Sequence, residues 1–285
     1  MTTQPAAGAS RLKEQGMSVT LPTQEKIVFS QVDKLFASPS KTGDQVRALV
    51  GLDLTVHKSE IVSIVGPTGC GKSTALNMVA GFDAPTNGSL RLDGKAIVKP
   101  GPDRAVVFQQ AALFPWMNVL ENITFGIKSR GVAKEQYMAS AEKLIRAVGL
   151  NGFEKHFPYQ ISGGMQQRVQ IARALISNPE VLLMDEPFGA LDYQTRILMQ
   201  QLLLELWREF KPTILFITHD VTEAIYISDR VIVMGARPGR VKLEVAVEEP
   251  KPRSLDFLTS ELFTGLEHQI LETVQHEATA SHAAH

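Results

Sequence analysis

The residues best suited to chemistry in this chain form a glycine-rich string that ends in a lysine and a serine. The string Gly66-Pro67-Thr68-Gly69-Cys70-Gly71-Lys72-Ser73 follows the apolar run Ile61–Val65 and precedes a helix-like run that starts at Thr74. Glycines let the backbone turn tightly, so that amides surround a phosphate and the helix adds its positive end. Lys72 is expected to reach the terminal phosphates of a nucleotide, Ser73 to ligate Mg²⁺, and Thr74 to be a further phosphate contact. A glycine-rich turn with a chance lysine is the alternative, and the strand and helix flanks disfavour it.

Two adjacent carboxylates end another apolar run. Residues 181–184 lead directly into Asp185 and Glu186. Because successive side chains of a strand point opposite ways, we expect Asp185 to face the metal ion and Glu186 to face the γ-phosphate, where it would orient the attacking water. The alternative is an acidic strand end in solvent, which the glycine-rich string upstream makes the weaker interpretation.

Two more apolar runs end in a polar residue. Residues 105–108 lead into Gln109, and residues 213–218 lead into His219. Continuous apolar runs are typical of buried parallel strands, and an open α/β sheet binds its ligand beyond the carboxyl ends of those strands. We therefore predict that all four strand ends meet at one sheet edge as one nucleotide-hydrolysis site. The imidazole of His219 could hydrogen-bond the γ-phosphate there, although a solvated histidine is the alternative.

A further glycine-containing string lies between these sites, and it carries the resemblance to a known family. The string Ile161-Ser162-Gly163-Gly164-Met165-Gln166-Gln167-Arg168 is similar to the L-S-G-G-Q signature of ATP-binding-cassette (ABC) ATPases. The resemblance covers roughly residues 27 to 245. Other marks of the family match by position: Gln109 for the Q-loop, Asp192 in Gly189-Ala190-Leu191-Asp192 for the D-loop, His219 for the switch histidine and Phe36 for the adenine-stacking aromatic residue.

The resemblance implies a fold and a cofactor. The implied fold is α/β, a P-loop NTPase (RecA-like) core with an N-terminal antiparallel β subdomain and an inserted α-helical subdomain. It also implies ATP and Mg²⁺, with Ser73, Gln109 and Asp185 near the metal ion. Phe36 could instead be a core residue, since an aromatic side chain at a loop is ambiguous.

The signature also implies a partner subunit. Ser162 can cap a helix, and Gly163 and Gly164 expose amides at its start, which makes a second anion site. In the family this helix end meets the γ-phosphate held by the phosphate loop of a second cassette. We therefore expect a head-to-tail pair, with an identical or a different ATPase subunit, that ATP closes and hydrolysis releases.

Departures from the signature point to a subgroup. Ile161 replaces leucine, and Met165 replaces a glutamine that the family often places near the ribose of the partner's nucleotide. A methionine at position 165 is similar to the signature in the cassettes of nitrate, sulfonate, taurine and bicarbonate importers. Residues 112–123 and 235–240 also resemble the corresponding segments of those cassettes. This resemblance implies membrane permease subunits, indirectly a solute-binding protein, and a peripheral location on the cytoplasmic side of the inner membrane. The alternative is a non-transport ATPase of a soluble assembly such as iron–sulfur cofactor assembly.

Composition excludes other classes of function. Apolar residues make up 44% of the chain and the net charge is −1. The apolar runs fall short of the ~20 residues of a membrane-spanning helix, so we do not expect the chain to form a pore. Residues 1–24 lack the apolar core of a signal peptide, which predicts a cytosolic protein. Since Lys and Arg do not cluster, nucleic acid is not expected as a partner.

The single cysteine, Cys70, lies inside the phosphate loop. Its position near Lys72 and a helix N-terminus predicts a lowered thiol pKa and a block of nucleotide binding by thiol reagents. The alternative is a position that merely tolerates a small side chain. Phe114, Pro115 and Trp116 are predicted to receive a membrane subunit, with packing as the alternative.

The predicted organisation has three parts. Residues 1–25 are predicted to be a disordered tail, residues 26–250 the ATPase domain, and residues 251–285 a C-terminal helix at about 258–274 with a flexible, metal-free histidine-containing tail. Strands are predicted at residues 27–32, 46–56 and 89–92, and the helical subdomain at about 113–165, where residues 134–148 form the clearest amphipathic helix. After the D-loop, a helix is predicted whose buried stripe consists of Leu198, Leu202, Leu206 and Phe210. Trp207 lies beside that stripe and is predicted to be a core residue.

Overall fold

The computed structural model describes residues 24–37 and 45–283. Most of the predicted tail of residues 1–25 therefore lies outside the described residues. The elements in chain order are β1 (Glu25–Ala37), β2 (Gln45–His57), β3 (Ile61–Val65), α1 (Lys72–Ala80), β4 (Asn87–Leu92), β5 (Lys95–Ala96), β6 (Arg104–Val107), α2 (Val119–Ser129), α3 (Lys134–Ala147), α4 (Gly163–Leu175), β7 (Val181–Asp185), α5 (Tyr193–Phe210), β8 (Thr213–Ile217), α6 (Val221–Ile227), β9 (Arg230–Gly235), β10 (Arg240–Ala246) and α7 (Glu261–Ala283), with short 3₁₀ helices at Pro158–Gln160 and Leu255–Thr259.

A six-stranded sheet places the candidate site. Its strand order is β10-β9-β3-β8-β7-β6. Neighbouring strands from β9 to β6 run parallel, and β10 alone pairs antiparallel, with β9. Every residue of β3 and β8 is buried, as continuous apolar runs require in a sheet covered on both faces. The carboxyl ends of β3, β8, β7 and β6 therefore meet at one edge, which confirms the prediction from the four apolar runs.

A second, antiparallel sheet has the order β2-β1-β4-β5. Val28 of β1 lies opposite Thr55 on one side and Arg91 on the other. Its inward-facing residues share one apolar core with α1 and one face of the parallel sheet, which includes Phe29 and Leu54. This sheet confirms the predicted antiparallel β layer, with strands longer than predicted at each of the three positions.

Helices α2 and α3 and the start of α4 lie within the predicted helical interval, residues 113–165. Helix α2 begins with a complete capping box, because the Asn118 side chain accepts from the Glu121 N–H at 2.9 Å and the Glu121 carboxylate accepts from the Asn118 N–H at 2.9 Å. Helix α3 matches the predicted amphipathic stretch 134–148 to within one residue. Side chains from α2, α3 and α4 share a single apolar core with the other face of the parallel sheet.

The buried stripe of α5 is only partly as predicted. Leu202 and Leu206 are buried, but Leu198 is 54% exposed, so its assignment to the core was wrong. A four-residue spacing drifts around a helix of 3.6 residues per turn, and in the first turns the buried face carries Met199 instead. Trp207 packs at the edge of this core, where its Nε1–H donates to the Ser59 carbonyl at 3.1 Å.

The C-terminal helix α7 runs from Glu261 to Ala283, so it begins and ends later than the predicted 258–274. It packs on α6 and β9, and its Phe263 and Ile270 are buried in the main core. Before it, the Arg253 guanidinium donates to the carbonyls of Ile225 and Tyr226 at 2.7 and 2.9 Å and so closes the end of α6. Within residues 24–37 and 45–283, no helix combines the length and apolarity needed to cross a bilayer.

Candidate active site

The loop between β3 and α1 is shaped by its glycines. Gly66 has φ 152°, and a Cβ there would lie 2.4 Å from the Met234 carbonyl oxygen of β9. Gly71 has φ 93°, and a Cβ there would lie 2.5 Å from Leu49 Cδ2. Both positions therefore exclude any side chain, so the loop passes close to Met234 and Leu49 before α1 begins. Such a helix N-terminus after a tight loop is suited to binding phosphate.

Lys72 lies inside this loop. Its ammonium donates to the carbonyls of Gly66 and Pro67 at 2.8 and 3.1 Å, and the residue is buried. Thr68, Gly69 and Ser73 are exposed on the outer side of the loop, and Thr74 is half-buried. The structure thus brings the predicted phosphate-binding residues into one cradle with a buried positive charge.

The prediction for the Cys70 thiol was wrong. The side chain is fully buried, and this burial raises the pKa of the thiol despite the nearby Lys72 ammonium at 3.7 Å. Desolvation outweighs the charge because the thiolate would have to form in an apolar pocket, away from solvent. The structure therefore favours the alternative of a small, inert side chain, and a reagent in solution has no direct path to the sulfur.

The Ser73 hydroxyl, in the first turn of α1, lies beside the Asp185 carboxyl at the end of β7. The Ser73 hydroxyl donates to Asp185 Oδ1 at 3.2 Å. Burial raises the pKa of the Asp185 carboxyl, and the adjacent Glu186 raises it further, while Ser73 and Lys72 act in the opposite direction. A hydroxyl beside a partly buried carboxylate that lacks full charge compensation is a donor set that fits Mg²⁺, a hard cation with oxygen ligands.

Glu186, His219 and Gln109 surround the space next to that pair. Glu186 Oε2 lies 3.2 Å from His219 Nδ1, which donates to the carboxylate in the tautomer that carries the proton on Nδ1. Glu186 has φ 45°, a backbone conformation that is uncommon for residues other than glycine. Its N–H donates to the Ile217 carbonyl of β8 at 2.9 Å. A Cβ on Gly189 would lie 3.4 Å from Gln109 Nε2 and 3.8 Å from Glu186 Oε2. The ends of β6, β7 and β8 therefore converge on one point.

The signature-like string begins α4 and contacts the segment after β7. Ser162 caps α4 by accepting from the Met165 N–H at 3.3 Å. A Cβ on Gly164 would lie 2.7 Å from Thr195 Cγ2, whereas nothing lies within 4 Å of the corresponding point on Gly163. Asp192 caps α5 through the Thr195 N–H and hydroxyl at 3.0 and 2.7 Å, and these bonds lower the pKa of its carboxyl. Amides at the start of α4 and the exposed Asp192 therefore share one open surface.

Phe36 lies near the end of β1 and is 41% exposed. The Lys34 ammonium lies 4.8 Å from the centroid of its ring. The core alternative is disfavoured by this exposure, and an exposed aromatic ring is suited to stacking on a base.

Three residues near the site were not assigned from the sequence. Arg196 joins the D-loop to the strand end of His219, since it donates to the Leu191 carbonyl at 3.3 Å and to Asp220 Oδ2 at 2.8 Å. Arg237 lies against the phosphate loop, 3.7 Å from the point where Gly69 would carry a Cβ. No local pattern marks Arg196, because its partner Asp220 is distant in sequence, whereas Arg237 lies within residues 235–240, which carry the subgroup resemblance.

The third residue that was not assigned from the sequence is Asn122, which holds the loop that follows Gln109. Its buried side chain accepts from the Phe114 N–H at 2.8 Å and donates to the carbonyls of Phe114, Met117 and Asn118. Trp116, between these anchors, is 69% exposed. Beside it lies a groove of about 880 Å³ between α2 and α3, whose lining includes Leu120, Phe125, Tyr137 and Met138.

Comparison with known proteins gives a consistent result. The family model described as ABC transporter matches residues 49–189. The chain is 50% identical over 202 residues to a taurine import ATP-binding protein of Roseobacter denitrificans, which covers 71% of this chain and 75% of that one. It is 42% identical over 242 residues to an aliphatic sulfonates import ATP-binding protein of Bacillus cereus. That alignment covers 85% of this chain and 92% of the relative.

Solved structures agree with these relatives. One similar structure is a dimeric ATP-binding cassette in a post-hydrolysis state, bound to ADP and phosphate. It is 32% identical with a TM-score of 0.67, and the match covers 79% of this chain and all of that chain.

Proposed function

The chain belongs to the ABC transporter family of ATP-binding proteins, and on this premise we propose that it is the ATP-hydrolysing subunit of an importer for a small anion. The observation that carries the proposal is the convergence of four parallel strand ends on one phosphate-binding cradle. Relatives with 42% and 50% identity are named for the import of sulfonates and taurine, and this favours transport over a soluble assembly such as iron–sulfur cofactor assembly. Nitrate and bicarbonate belong to the same class of small anions.

We assign the binding step to the loop from Gly66 to Thr74. Its backbone amides and the Lys72 ammonium would hold the phosphates of ATP, and Phe36 would stack on the adenine. Ser73, Asp185 and Gln109 would hold Mg²⁺, which would supply charge neutralisation at the phosphates. The 3.2 Å contact of Ser73 with Asp185 supports this assignment.

We assign the hydrolytic step to Glu186 with His219. Phosphoryl transfer needs positioned groups more than covalent chemistry, so one carboxylate that orients water is sufficient. With its proton on Nδ1, His219 donates to Glu186 Oε2 and so orients the carboxylate, and the His219 side chain is exposed. Glu186 then holds the attacking water, and Gln109 lies across the same space.

The start of α4 completes the site of a second subunit in this proposal. Ser162, Gly163 and Gly164 present amides to an open surface, and Asp192 lies exposed beside them. A nucleotide in the cradle of one subunit would meet this helix start of its partner, identical or not, as in a head-to-tail pair. The dimeric state of a similar cassette supports this arrangement.

The groove beside Trp116 is proposed as the docking site for a membrane permease. Its loop follows Gln109 directly and is anchored by Asn122, so a shift of Gln109 on hydrolysis reaches the groove through a short, held segment. The subunit would then lie peripherally at the cytoplasmic face of the membrane, and a solute-binding protein would act only through the permease.

Hydrolysis is tested with a Glu186→Gln variant. It should bind ATP, dimerise and lose about 10²–10⁴-fold in kcat, since the water is no longer oriented while the cradle is intact. Size-exclusion chromatography with MgATP measures the dimer, and phosphate release measures turnover. A Ser162→Arg change in the same background should abolish the dimer. Full-rate hydrolysis by a protein that stays monomeric would refute the shared site.

Transport is tested by recovery of the tagged protein from detergent-solubilised membranes. A multi-span protein should accompany it, and a strain lacking the subunit should lose growth on taurine or an aliphatic sulfonate as sulfur source. Recovery with a soluble scaffold and normal anion uptake would favour cofactor assembly instead.

A further inference from the structure

A cavity of about 300 Å³ lies at the edge of the parallel sheet, outside the nucleotide site. The edge strand β6 forms one wall, and α2 and α4 form the others. Three arginines from these three elements line it: Arg104, Arg130 and Arg173. Among the described residues of its lining there is no aspartate or glutamate, and the remaining polar side chains are Gln170 and Ser177. The cavity is therefore small, polar and positively charged.

The arginine charges are incompletely compensated. Arg104 has a side chain only 7% exposed and a buried Nε with no hydrogen-bond partner. Its Nη2 donates to the Lys99 carbonyl at 2.8 Å, and its Nη1 lies 3.5 Å from Oδ2 of Asp103, which lies outside the cavity lining and whose Oδ1 is also buried without a hydrogen-bond partner. Buried polar groups are normally hydrogen-bonded, so an orphaned guanidinium nitrogen at a cavity calls for an acceptor.

Arg173 extends the same pattern. Its guanidinium lies 5.5 Å from the centroid of the Phe114 ring, and burial lowers the pKa of its side chain. A ring face is a weak partner for a partly desolvated charge, compared with an anion that accepts two hydrogen bonds. Arg130, at the end of α2, is exposed at the mouth of the cavity.

We propose that this cavity binds a small oxyanion with two or more charges, of the phosphate or sulfate type. Guanidinium groups from separate elements can donate to its oxygens together, and the side chains of Gln170 and Ser177 line the same cavity. The cavity volume admits such an ion but not a whole nucleotide. The bound ion would join β6, which leads to Gln109, to α4, which starts at the signature. Gln170 already links them, since its amide, oriented to satisfy both atoms, accepts from the Phe108 N–H at 2.7 Å.

The test is equilibrium dialysis of the full chain with ³²P-labelled inorganic phosphate. The phosphate loop is itself an anion site, so the protein carries Lys72→Ala throughout. Saturable binding of about one ion per chain is expected. Loss of one charged donor should weaken it by about tenfold or more in Arg173→Gln and in Arg130→Gln, whereas the exposed Arg91→Gln on β4 should bind as the parent does.

Each outcome decides the proposal. Arg130 is exposed, so its variant should melt as the parent does, and its loss of binding would not reflect misfolding. Unlabelled sulfate should displace the label, while ADP at the same concentration should not. Absence of saturable binding, an equal loss in Arg91→Gln, or displacement by ADP alone would overturn the assignment. Because the assay measures neither turnover nor transport, its failure leaves the proposed function standing.

Discussion

Replacement of Asn122 by alanine should destabilise the protein and loosen the loop between Gln109 and α2. The side chain is fully buried and makes four hydrogen bonds, one accepted from the Phe114 N–H and three donated to carbonyls. The Asn118 carbonyl keeps its helical bond from the Asn122 N–H, at 2.9 Å, and the Phe114 carbonyl keeps its bond from the Met117 N–H, at 3.1 Å, so the side-chain bonds to these two carbonyls cost little when lost.

The remaining two bonds, with the Phe114 N–H and the Met117 carbonyl, set the size of the effect. At about 1 kcal/mol each they give a loss of roughly 2 kcal/mol in the free energy of unfolding. For a chain of this size, about 2–4 °C per kcal/mol corresponds to a fall in Tm of roughly 4–8 °C. Asn122→Asp should lose a similar amount, because a carboxylate cannot donate to the three carbonyls and would face them as an acceptor.

The assay is thermal unfolding followed by circular dichroism, with limited proteolysis of residues 114–117 as a local readout. Asn151→Ala is the matched control, since Asn151 is an exposed asparagine of the same helical region and its loss should stay within about 0.5 kcal/mol. A Tm of the Asn122→Ala protein within about 2 °C of that control would refute the view that this side chain holds the loop. A fully stable Asn122→Asp protein would show that its donated bonds are dispensable.

Three further outcomes are expected. Trp116→Ala should hydrolyse ATP normally but recover at least about fivefold less permease on affinity purification than Phe82→Ala, which removes a different exposed ring; equal recovery would exclude docking at this groove. Cys70 should react with iodoacetamide at pH 8 at least about tenfold more slowly than in urea, because burial both raises its pKa and blocks access; equal rates would contradict this. Burial lowers the pKa of Lys251 to about 8, so the unfolded chain binds the proton more tightly and stability should rise from pH 8 towards pH 10; urea titration of Lys251→Met should lack that rise, and identical pH profiles would disprove it.

Local patterns were enough to predict the phosphate loop, the two carboxylates and the strand-end histidine. Each depends on residues adjacent in sequence, whose spacing fixes which way the backbone turns and which side chains face the ligand. The parallel direction of β3, β8, β7 and β6 also followed from apolar runs, since only a sheet covered on both faces needs strands without polar alternation, whereas their order in the sheet came from the structure. The type of each of these strands and the positions of the candidate site residues can thus be predicted from the sequence.

Burial and long-range contacts were decided only by the tertiary structure. Desolvation inside the folded loop sets the pKa of Cys70. The exposure of Leu198 is set by which face of α5 packs against the neighbouring elements. Arg196 and Asn122 act on carbonyls whose position depends on how the chain folds around them.

The arginine-lined cavity shows the same limit most clearly. Arg104, Arg130 and Arg173 are far apart in sequence and share no motif, and only the packing of α2 and α4 against β6 gathers their charges. Sequence alone therefore determined where the glycine-rich loop, the adjacent carboxylates and the strand-end histidine lie relative to the strands, because that information is local. The fold decided which charges and thiols are desolvated, because the free energy of a buried group depends on everything that surrounds it.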